Sequence, residues 1–381
     1  MGQIVAAMAT MHAPQLFTRP PEEDPAQLDA GIAAMQQLGK VLDETRPDAL
    51  IIFASDHLET FFLKSVPTFA VICGERANTA FSGKTWAPRI HQSMAEDLLE
   101  KLVASDFDMA YSQDAELGHS FAAPFEWILG DRDIPIVPVF VNTYLPPLPT
   151  ARRCAALGRA LADIIGTRPE RVALLASGGM SHYPGTWKYY KPAYDFDRWC
   201  IHELENGHND SFLNLTSEQL DEVGNTEMLP WAPVLGALGE QHMELLSYQP
   251  TPHHGHAVVR FHPGPKPAPD ATQPFRFERH PYHFYNHPAV SVFKLNKLLY
   301  ESRFKAHLRQ RLLKDSAAVA VEYGLPPEHA AALSETCLLT HNGTGQPALD
   351  ADPVVKAGAH PVGALMAVHV LQAEQRRMRL T

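Results

Sequence analysis

Three histidines lie close behind separate apolar runs of the kind that form buried strands. His12 follows the run 4–9, His57 follows the run 49–54, and His182 follows the run 172–176. In open α/β folds, ligands bind beyond the carboxyl ends of neighbouring parallel strands. One such histidine could be a solvent-facing turn residue, but three at one sheet edge predict a site that carries chemistry.

The third run ends in the sequence Ser-Gly-Gly-Met-Ser-His. Gly178 and Gly179 allow the chain to turn sharply and allow another group to approach the backbone closely. A fourth apolar run, "IPIVPVFVNT", ends at Asn142 and Thr143. We therefore expect His12, His57 and His182 to stand at the rim of a pocket.

Two neutral imidazoles and one carboxylate form the facial ligand set that holds non-haem iron(II) and leaves coordination positions open. His12 and His57 can supply the imidazoles. The best candidate for the carboxylate is Glu227 in "GNTEMLPW", at the predicted start of a helix. Alternatively, Glu227 only interacts favourably with the helix dipole, and the spacing in the sequence does not separate the two interpretations.

Two other groups of histidines are further candidates for a site. His253, His254 and His256 lie near the end of the first predicted domain, where a loop could reach the pocket. The segment 261–288 is rich in proline and histidine, and its candidate metal ligands are His280, His283 and His287. Because prolines interrupt any regular ligand geometry there, the preferred interpretation is a solvated connector.

Composition excludes several classes of partner. The chain has 381 residues, a net charge of −11 and no basic run, so nucleic acids and anionic membranes are not expected partners. No apolar stretch is long enough to span a bilayer, and no signal peptide is expected. The four cysteines are scattered without a Cys-x-x-Cys pair, which favours reduced thiols and a cytoplasmic location. They are Cys73, Cys154, Cys200 and Cys337.

The elements that must position these residues alternate between strands and helices over residues 1–265. The segments 24–48, 87–108 and 150–172 each contain a predicted amphipathic helix, and Asp24 and Pro25 suit the cap and first turn of the first one. The predicted class is α/β, with a layered mixed sheet and flanking helices, followed by a small all-α domain.

The domain boundaries follow from changes in composition. We expect a catalytic domain over 1–265, a linker rich in proline and histidine over 266–288, and a small helical domain over 289–381. The segment 291–333 is predicted to be helical throughout, and 354–378 to be a last helix. A helix over 292–300 would place a stripe of apolar side chains against the larger domain, so that the helical domain acts as a lid. The alternative is that the helical domain serves as an oligomerisation arm. The stripe consists of Phe293, Leu295, Leu298 and Leu299.

Five segments, in order, give the chain a family resemblance. They are "MATMHAP", "SDHLETFF", "ELGHSFAAPFEWI", "ASGGMSH" and "GNTEMLPW". They resemble marker segments of the class III extradiol ring-cleavage dioxygenases of the protocatechuate 4,5-dioxygenase type, over most of residues 1–260. The tail resembles the small helical subunit of that enzyme, fused behind the catalytic chain as in gallate dioxygenases.

The resemblance implies that His12, His57 and Glu227 bind Fe(II). It also implies that His182 is the general base and that His119 lies near the substrate and O2. Gly118, before His119, departs from the family pattern. The implied substrates are a small catechol-type or hydroxypyridine-type ring and O2.

Two alternatives to this function stay open. A zinc-dependent relative could use the same scaffold, because zinc also binds histidine and glutamate. A non-catalytic metal-binding interaction protein is the other alternative, although such a protein has no need of a base at His182. The expected assembly is a homodimer or a higher homo-oligomer.

Overall fold

The structure, a computed structural model, describes residues 2–278, 283–336 and 352–380. Eight strands form one sheet, and β4 and β5 form a separate hairpin. The strands are β1 (Gln3–Thr10), β2 (Ala49–Ser55), β3 (Phe69–Ile72), β4 (Thr79–Phe81), β5 (Lys84–Trp86), β6 (Met109–Ser112), β7 (Ile136–Val141), β8 (Arg171–Ser177), β9 (Gln241–Thr251) and β10 (His254–Pro263).

The large sheet is mixed, and its central strands are parallel. The strand order is β6-β3-β7-β2-β8-β1-β10-β9. β7, β2, β8 and β1 run parallel to one another, whereas β3 is antiparallel to β7 and β10 is antiparallel to β1. Every residue of β2 is buried, as expected for a strand that is covered on both faces. The predicted mixed α/β sheet is confirmed, and the four apolar runs correspond to β1, β2, β7 and β8.

Helices flank the sheet. Those before residue 240 are α1 (Gln15–Thr18), α2 (Pro25–Thr45), α3 (Gln92–Ala104), α4 (His119–Pro124), α5 (Ala151–Gly166), α6 (Tyr194–Glu205), α7 (Asn209–Leu213), α8 (Ser217–Glu222) and α9 (Trp231–Leu238). A π-helical turn over Phe125–Leu129 and a 3-10 turn over Thr226–Met228 complete them. The three predicted amphipathic helices are α2, α3 and α5. α2 begins as predicted, because the Asp24 side chain accepts a hydrogen bond from the Ala26 amide at 2.8 Å.

The chain beyond residue 289 is helical, but its helices are shorter than predicted. They are α10 (Phe293–Phe304), α11 (Ala306–Lys314), α12 (Ser316–Glu322), α13 (Pro327–Glu335), α14 (Pro353–Lys356) and α15 (Pro361–Leu380). The prediction that 291–333 is helical throughout is wrong at Lys305 and Asp315, whose extended or irregular backbone angles divide the segment into shorter helices. The predicted last helix is also interrupted, since Gly358 has a φ of +97° and Pro361 begins α15.

The apolar stripe of α10 packs mostly within the helical region. Its three leucines belong to a buried cluster formed by α10–α15; they are Leu295, Leu298 and Leu299. Phe293 and Tyr300 instead face Phe62 of the sheet region, with ring centroids 5.7 Å and 4.5 Å from the Phe62 ring. The prediction that the leucines dock on the larger domain is therefore wrong, because the helical region builds a core of its own. The division of the chain at residues 265 and 288 stays a prediction.

The segment 266–288 is anchored near its end, unlike a fully solvated connector. Phe284 and Tyr285 are buried, and their backbone amides donate hydrogen bonds to the Asp221 carboxylate at 2.8 Å and 3.2 Å. Two buried aromatic side chains and a carboxylate with two amide donors fix this part of the chain. The prediction of a solvated connector is therefore wrong at Phe284 and Tyr285.

The histidines of this segment do not assemble a metal site in the described part of the chain. His280 lies outside the described residues. His283 Nδ1 lies 3.8 Å from an Asp221 carboxylate oxygen, and His287 Nδ1 lies 2.9 Å from the Pro146 carbonyl oxygen. Cys337 also lies outside the described residues, while the other three cysteines are buried free thiols. Among the described residues, no helix combines the length and apolar character needed to cross a membrane.

A buried carboxylate, Asp197 on α6, joins the loop after β8 to the loop before α9. It accepts hydrogen bonds from the Ser181 amide at 3.0 Å, the Ser181 hydroxyl at 2.7 Å, the Asn225 side chain at 3.0 Å and the Tyr248 hydroxyl at 2.9 Å. Burial raises the pKa of the Asp197 carboxyl, and these four donors oppose that rise. Because Ser181 and Asn225 stand beside candidate site residues, this one carboxylate sets the spacing of both loops.

Asp197→Asn is expected to lower the free energy of unfolding by about 1–3 kcal/mol, because one acceptor oxygen becomes a donor that faces other donors. Denaturant unfolding measures the loss. Asp195→Asn is the matched control on the same helix, since Asp195 is exposed and pairs with Arg198 at the surface. Its expected change is within about 0.5 kcal/mol. Equal losses in the two variants would contradict the assigned role of Asp197.

Candidate metal centre

His12, His57 and His182 meet at one edge of the sheet, as the sequence predicts. β2, β8 and β1 are adjacent and parallel, so their carboxyl ends lie side by side. The ring centroids of His12 and His57 are 5.2 Å apart. Both rings are buried, and the His182 side chain is only 11% exposed. The three strand ends therefore create one enclosed group of imidazoles.

Glu227 lies at the centre of this group. Its carboxylate is fully buried in the 3-10 turn that precedes α9. One oxygen, Oε2, lies 3.2 Å from His12 Nε2 and 3.5 Å from His182 Nε2, and the other, Oε1, contacts His57 Nε2. The Gly179 amide also donates to Oε2 at 3.1 Å. The side chain thus faces three imidazoles and does more than interact with a helix end.

Hydrogen bonds determine which ring nitrogen of His12 carries the proton. The Ser177 hydroxyl donates to the Ser120 carbonyl oxygen at 2.6 Å, so its oxygen accepts from His12 Nδ1 at 3.0 Å. In the neutral ring the proton is therefore on Nδ1, and Nε2 carries the lone pair. This Nε2 is buried without a hydrogen-bond donor. A buried imidazole lone pair beside a carboxylate fits a metal ion.

The electrostatic environment favours the protonation states that metals require. Burial lowers the pKa of His12, and it lowers the pKa of His57 to about 4. Burial alone would raise the pKa of the Glu227 carboxyl, but His12, His57 and His182 hold it well below its ordinary value. Neutral imidazoles beside an ionised carboxylate are the forms that bind a metal.

Six side chains here offer potential ligand atoms in two adjoining groups. Within each group the ligand atoms lie within 4.8 Å of one another. The first group is His12, His57 and His119, and the second is His182, Glu227 and His254. Because Glu227 contacts both His12 and His57, the two groups meet at its carboxylate. The fold therefore brings together His12, His57, His119, His182 and Glu227, and it also places there His254, from the loop that the sequence indicated could reach the pocket.

The two glycines after β8 lie where other segments of the chain approach the backbone closely. A Cβ atom on Gly178 would lie 2.0 Å from the Glu227 carbonyl oxygen, and one on Gly179 would lie 2.0 Å from His254 Nε2. Without side chains at these positions, the turn that carries Glu227 and the start of β10 can both reach the end of β8.

Tyr144 belongs to the site, although we did not predict it from the sequence. It follows β7, which lies beside β2 in the sheet. Its hydroxyl donates to Glu227 Oε1 at 2.8 Å and lies 2.9 Å from His182 Nε2. Burial and the Glu227 carboxylate raise the pKa of Tyr144 well above its ordinary value, so the phenol keeps its proton. The strand-end argument that selected the histidines also applies to this position, just after the fourth apolar run.

His254 packs face to face on His182, with ring centroids 3.9 Å apart and planes at 17°. On its other side, His182 is oriented by Nδ1, which lies 2.8 Å from the Met180 carbonyl oxygen. A carbonyl only accepts, so Nδ1 carries a proton and the opposite nitrogen, Nε2, faces the site. These two contacts hold the His182 ring in one orientation.

The other histidines of this loop have different environments. His253 lines the same cavity, and its Nδ1 lies 3.0 Å from a buried Glu23 carboxylate oxygen. His256 is buried beside His254, with ring centroids 4.7 Å apart. Of the three, His254 therefore has the direct contact with the candidate centre.

His119, at the start of α4, is held by Glu59. Glu59 Oε2 accepts a hydrogen bond from the His119 amide at 2.9 Å and lies 2.8 Å from His119 Nδ1. Burial would raise the pKa of Glu59, but His119 and Arg303 lower it below its usual range. A Cβ atom on Gly118 would lie 2.0 Å from Glu59 Oε2. The glycine that departs from the family pattern therefore makes room for this carboxylate.

A cavity of about 720 Å³ opens onto the histidines. Its inner wall contains five imidazoles, those of His12, His57, His119, His182 and His254. The opposite wall comes from α15 and includes Val362, Leu365, Met366 and His369. A cavity of this size with a few convergent polar groups suits a small aromatic ligand.

The sequence of this chain is similar to those of known proteins. Residues 6–260 match the family described as the catalytic LigB subunit of aromatic ring-opening dioxygenase. Two similar proteins are named 2,3-dihydroxyphenylpropionate/2,3-dihydroxicinnamic acid 1,2-dioxygenase. The one from Photorhabdus laumondii is 35% identical over 186 residues, which are 47% of this chain and 56% of that protein. The one from Pseudomonas putida is 32% identical over 174 residues, 45% of this chain and 55% of that protein.

The chain spans little more than half the length of these relatives. Among solved structures, an uncharacterized protein from Escherichia coli K12 is similar with a TM-score of 0.46 and 19% identity, over 67% of this chain and 99% of that one. The family match covers well over half of the chain and includes His12, His57, His119, His182 and Glu227. The chain therefore belongs to the LigB family of catalytic subunits of aromatic ring-opening dioxygenases.

Proposed function

We propose that this protein is an extradiol dioxygenase that uses one Fe(II) ion and O2 to open an aromatic ring with adjacent hydroxyl groups. The observation that carries the proposal is the buried Glu227 carboxylate, which contacts imidazoles from adjacent strand ends beside a cavity. The names of the relatives specify a dioxygenase and a dihydroxyphenyl acid. For this chain we propose a catechol-type or hydroxypyridine-type ring.

His12, His57 and Glu227 are the proposed iron ligands. Two imidazole nitrogens and one carboxylate oxygen suit Fe(II) and leave positions open for small molecules. When bound, the ion would act as a Lewis acid for two adjacent hydroxyls and would relay electrons from the ring to O2. In the overall reaction both oxygen atoms of O2 enter the product, and a ring carbon–carbon bond beside a hydroxyl breaks.

His182 is the proposed general base. A ring hydroxyl resembles that of tyrosine, with a pKa of about 10, and does not ionise readily at neutral pH. The Met180 carbonyl holds the proton of His182 on Nδ1, so Nε2 can accept a proton from the substrate. This nitrogen lies 2.9 Å from the Tyr144 hydroxyl oxygen and 3.5 Å from Glu227 Oε2, so it faces the polar centre of the site.

His119 is proposed to lie beside the ring and O2. Its ring is 4.2 Å from His57 and 5.4 Å from Phe81, centroid to centroid, and all three line the cavity. With Nδ1 directed at Glu59, the other nitrogen, Nε2, is available to a bound molecule. Flat side chains around a polar centre are suited to hold an aromatic ring in one orientation.

The helical region is proposed to act as a lid on its own chain. α15 supplies part of the lining of the cavity onto which His12, His57 and His182 open. Excluding bulk water from such a site strengthens its electrostatic interactions and prevents side reactions. Assembly into a homodimer or higher homo-oligomer and a cytoplasmic location stay predictions from the sequence.

His12→Ala, His57→Ala and Glu227→Ala are each expected to lose iron and nearly all ring-opening activity, because each removes one of three ligands. Elemental analysis and anaerobic Fe(II) reconstitution measure the loss. His262→Ala is the control, since this histidine pairs with Glu244 at the surface. Full iron occupancy in the Glu227 variant would assign the third ligand to another side chain, such as His119. Zinc in the purified protein, with no O2 uptake after loading with Fe(II), would favour the zinc-dependent alternative.

His182→Ala is expected to keep its iron and to bind a catechol, but to turn over on the order of 10²–10⁴-fold more slowly, the usual contribution of a general base. Metal analysis, substrate titration and O2 uptake separate the three properties. If this variant loses its metal, His182 is a ligand and the proposed assignment is wrong.

Met366→Ala is expected to raise the KM for a catechol on the order of tenfold, because it removes an apolar side chain from the cavity wall. It should also lower the ratio of ring-opened product to O2 consumed. Met378→Ala is the matched control, as it changes the same residue type on the same helix beyond the cavity lining. An unchanged KM and unchanged coupling in the Met366 variant would refute the lid.

A further inference from the structure

The helical region makes a buried polar contact with the loop that carries His57. The contact comes from Arg303 on α10, whose side chain is only 5% exposed. Its Nη1 donates to the Leu58 carbonyl at 2.7 Å and to the His57 carbonyl at 3.3 Å. Its Nη2 lies 3.5 Å from Glu59 Oε1. One guanidinium therefore touches three consecutive residues of this loop.

The backbone of this loop is strained. Leu58 has a φ of +57°, in the left-handed region that residues with a branched side chain rarely adopt. Such conformations cost on the order of 1–3 kcal/mol and persist only where the surroundings impose them. Asp56 imposes this one from inside the loop, because its carboxylate accepts the amides of Glu59, Thr60 and Phe61 at 2.9–3.0 Å. Arg303 holds the carbonyl side of the same turn.

The same loop reaches the cavity through Glu59. This carboxylate binds Arg303 with one oxygen, and with the other it binds the amide and the ring of His119. The second contact requires a glycine at position 118, since a Cβ atom there would lie 2.0 Å from Glu59 Oε2.

We infer that Arg303 is a positioning residue of the ring-opening site: it acts through Glu59 to fix the orientation and tautomer of His119, and it holds the turn after His57. The helical region thereby completes a site whose candidate metal ligands all lie in residues 1–260. Lysine is not expected to replace it fully, because a single ammonium nitrogen cannot occupy both positions from which Nη1 contacts the carbonyls and Nη2 faces Glu59. That the site opens aromatic rings rests on the proposed function, whereas the contacts of Arg303 with the loop do not depend on it.

The first test uses metal-free protein, so that it does not depend on activity. Nitrogen-15 NMR of the histidine rings reports which nitrogen of His119 carries the proton. We expect the Nδ1-protonated form in the unmodified protein and in Arg309→Gln. The latter is the matched control, since Arg309 binds Glu374 and carbonyl groups within the helical region. We expect Arg303→Gln to shift the ring toward the Nε2-protonated form, and Arg303→Lys to give an intermediate result.

The second test measures turnover after loading with Fe(II). Loss of a group that orients an active-site histidine typically costs about 10–100-fold in activity, and we expect this loss in kcat for Arg303→Gln, with KM changed less. Gly118→Ala should reproduce both effects from the catalytic side, because it displaces Glu59 without altering Arg303. If Arg303→Gln does not fold, Arg303→Lys, which keeps the charge and most of the side-chain volume, supplies the same two measurements.

Several results would overturn the inference. The first is an Nε2-protonated His119 in the unmodified protein. The second is a Gly118→Ala variant whose His119 tautomer and kcat are both normal. The third is an Arg303→Gln variant that gives the same tautomer and the same kcat as Arg309→Gln. If the unmodified protein does not open catechol rings, the proposed function fails, while the tautomer measurement still decides the positioning role of Arg303.

Discussion

A charged carboxylate without access to water is the constraint on which the rest of this structure depends. Removing such a group from water costs several kcal/mol unless partners surround it. Glu227 is fully buried, and its partners come from the ends of four neighbouring strands. They are His12 after β1, His57 after β2, Tyr144 after β7 and Gly179 after β8. These strands are parallel and adjacent in the sheet, so their carboxyl ends deliver four separate segments to one point.

The sequence could predict the strand ends because apolar runs and the polar residues that follow them are local patterns. That reasoning correctly placed His12, His57 and His182 together, and applied to the fourth run it reaches Tyr144. It could not find Glu59 as the partner of His119, because the two residues are 60 positions apart and nothing local links them. The sequence did indicate that the loop of His253, His254 and His256 could reach the pocket, but it could not single out His254, which approaches His182 because Gly179 has no side chain.

The helical region shows a different limit. The periodicity of α10 correctly identified an apolar face, but periodicity does not say what covers that face. Leu295, Leu298 and Leu299 are covered by the other helices of the region, and Arg303 on the same helix makes the polar contact with the sheet region. The helical region therefore reaches the site through a cation and through the cavity wall formed by α15, and its leucine core supports both.

The contact between Leu58 and Arg303 has a consequence for the newly made chain. The two residues are 245 positions apart, and all ten strands precede Arg303 in the sequence. At about 5–20 residues per second, translation takes on the order of 10–50 s to cover that distance. During this time the sheet can already fold, while the turn at Leu58 has Asp56 but still lacks the guanidinium. The turn beside His57 therefore gains its contact with the helical region only after Arg303 has been synthesised and α10 has docked.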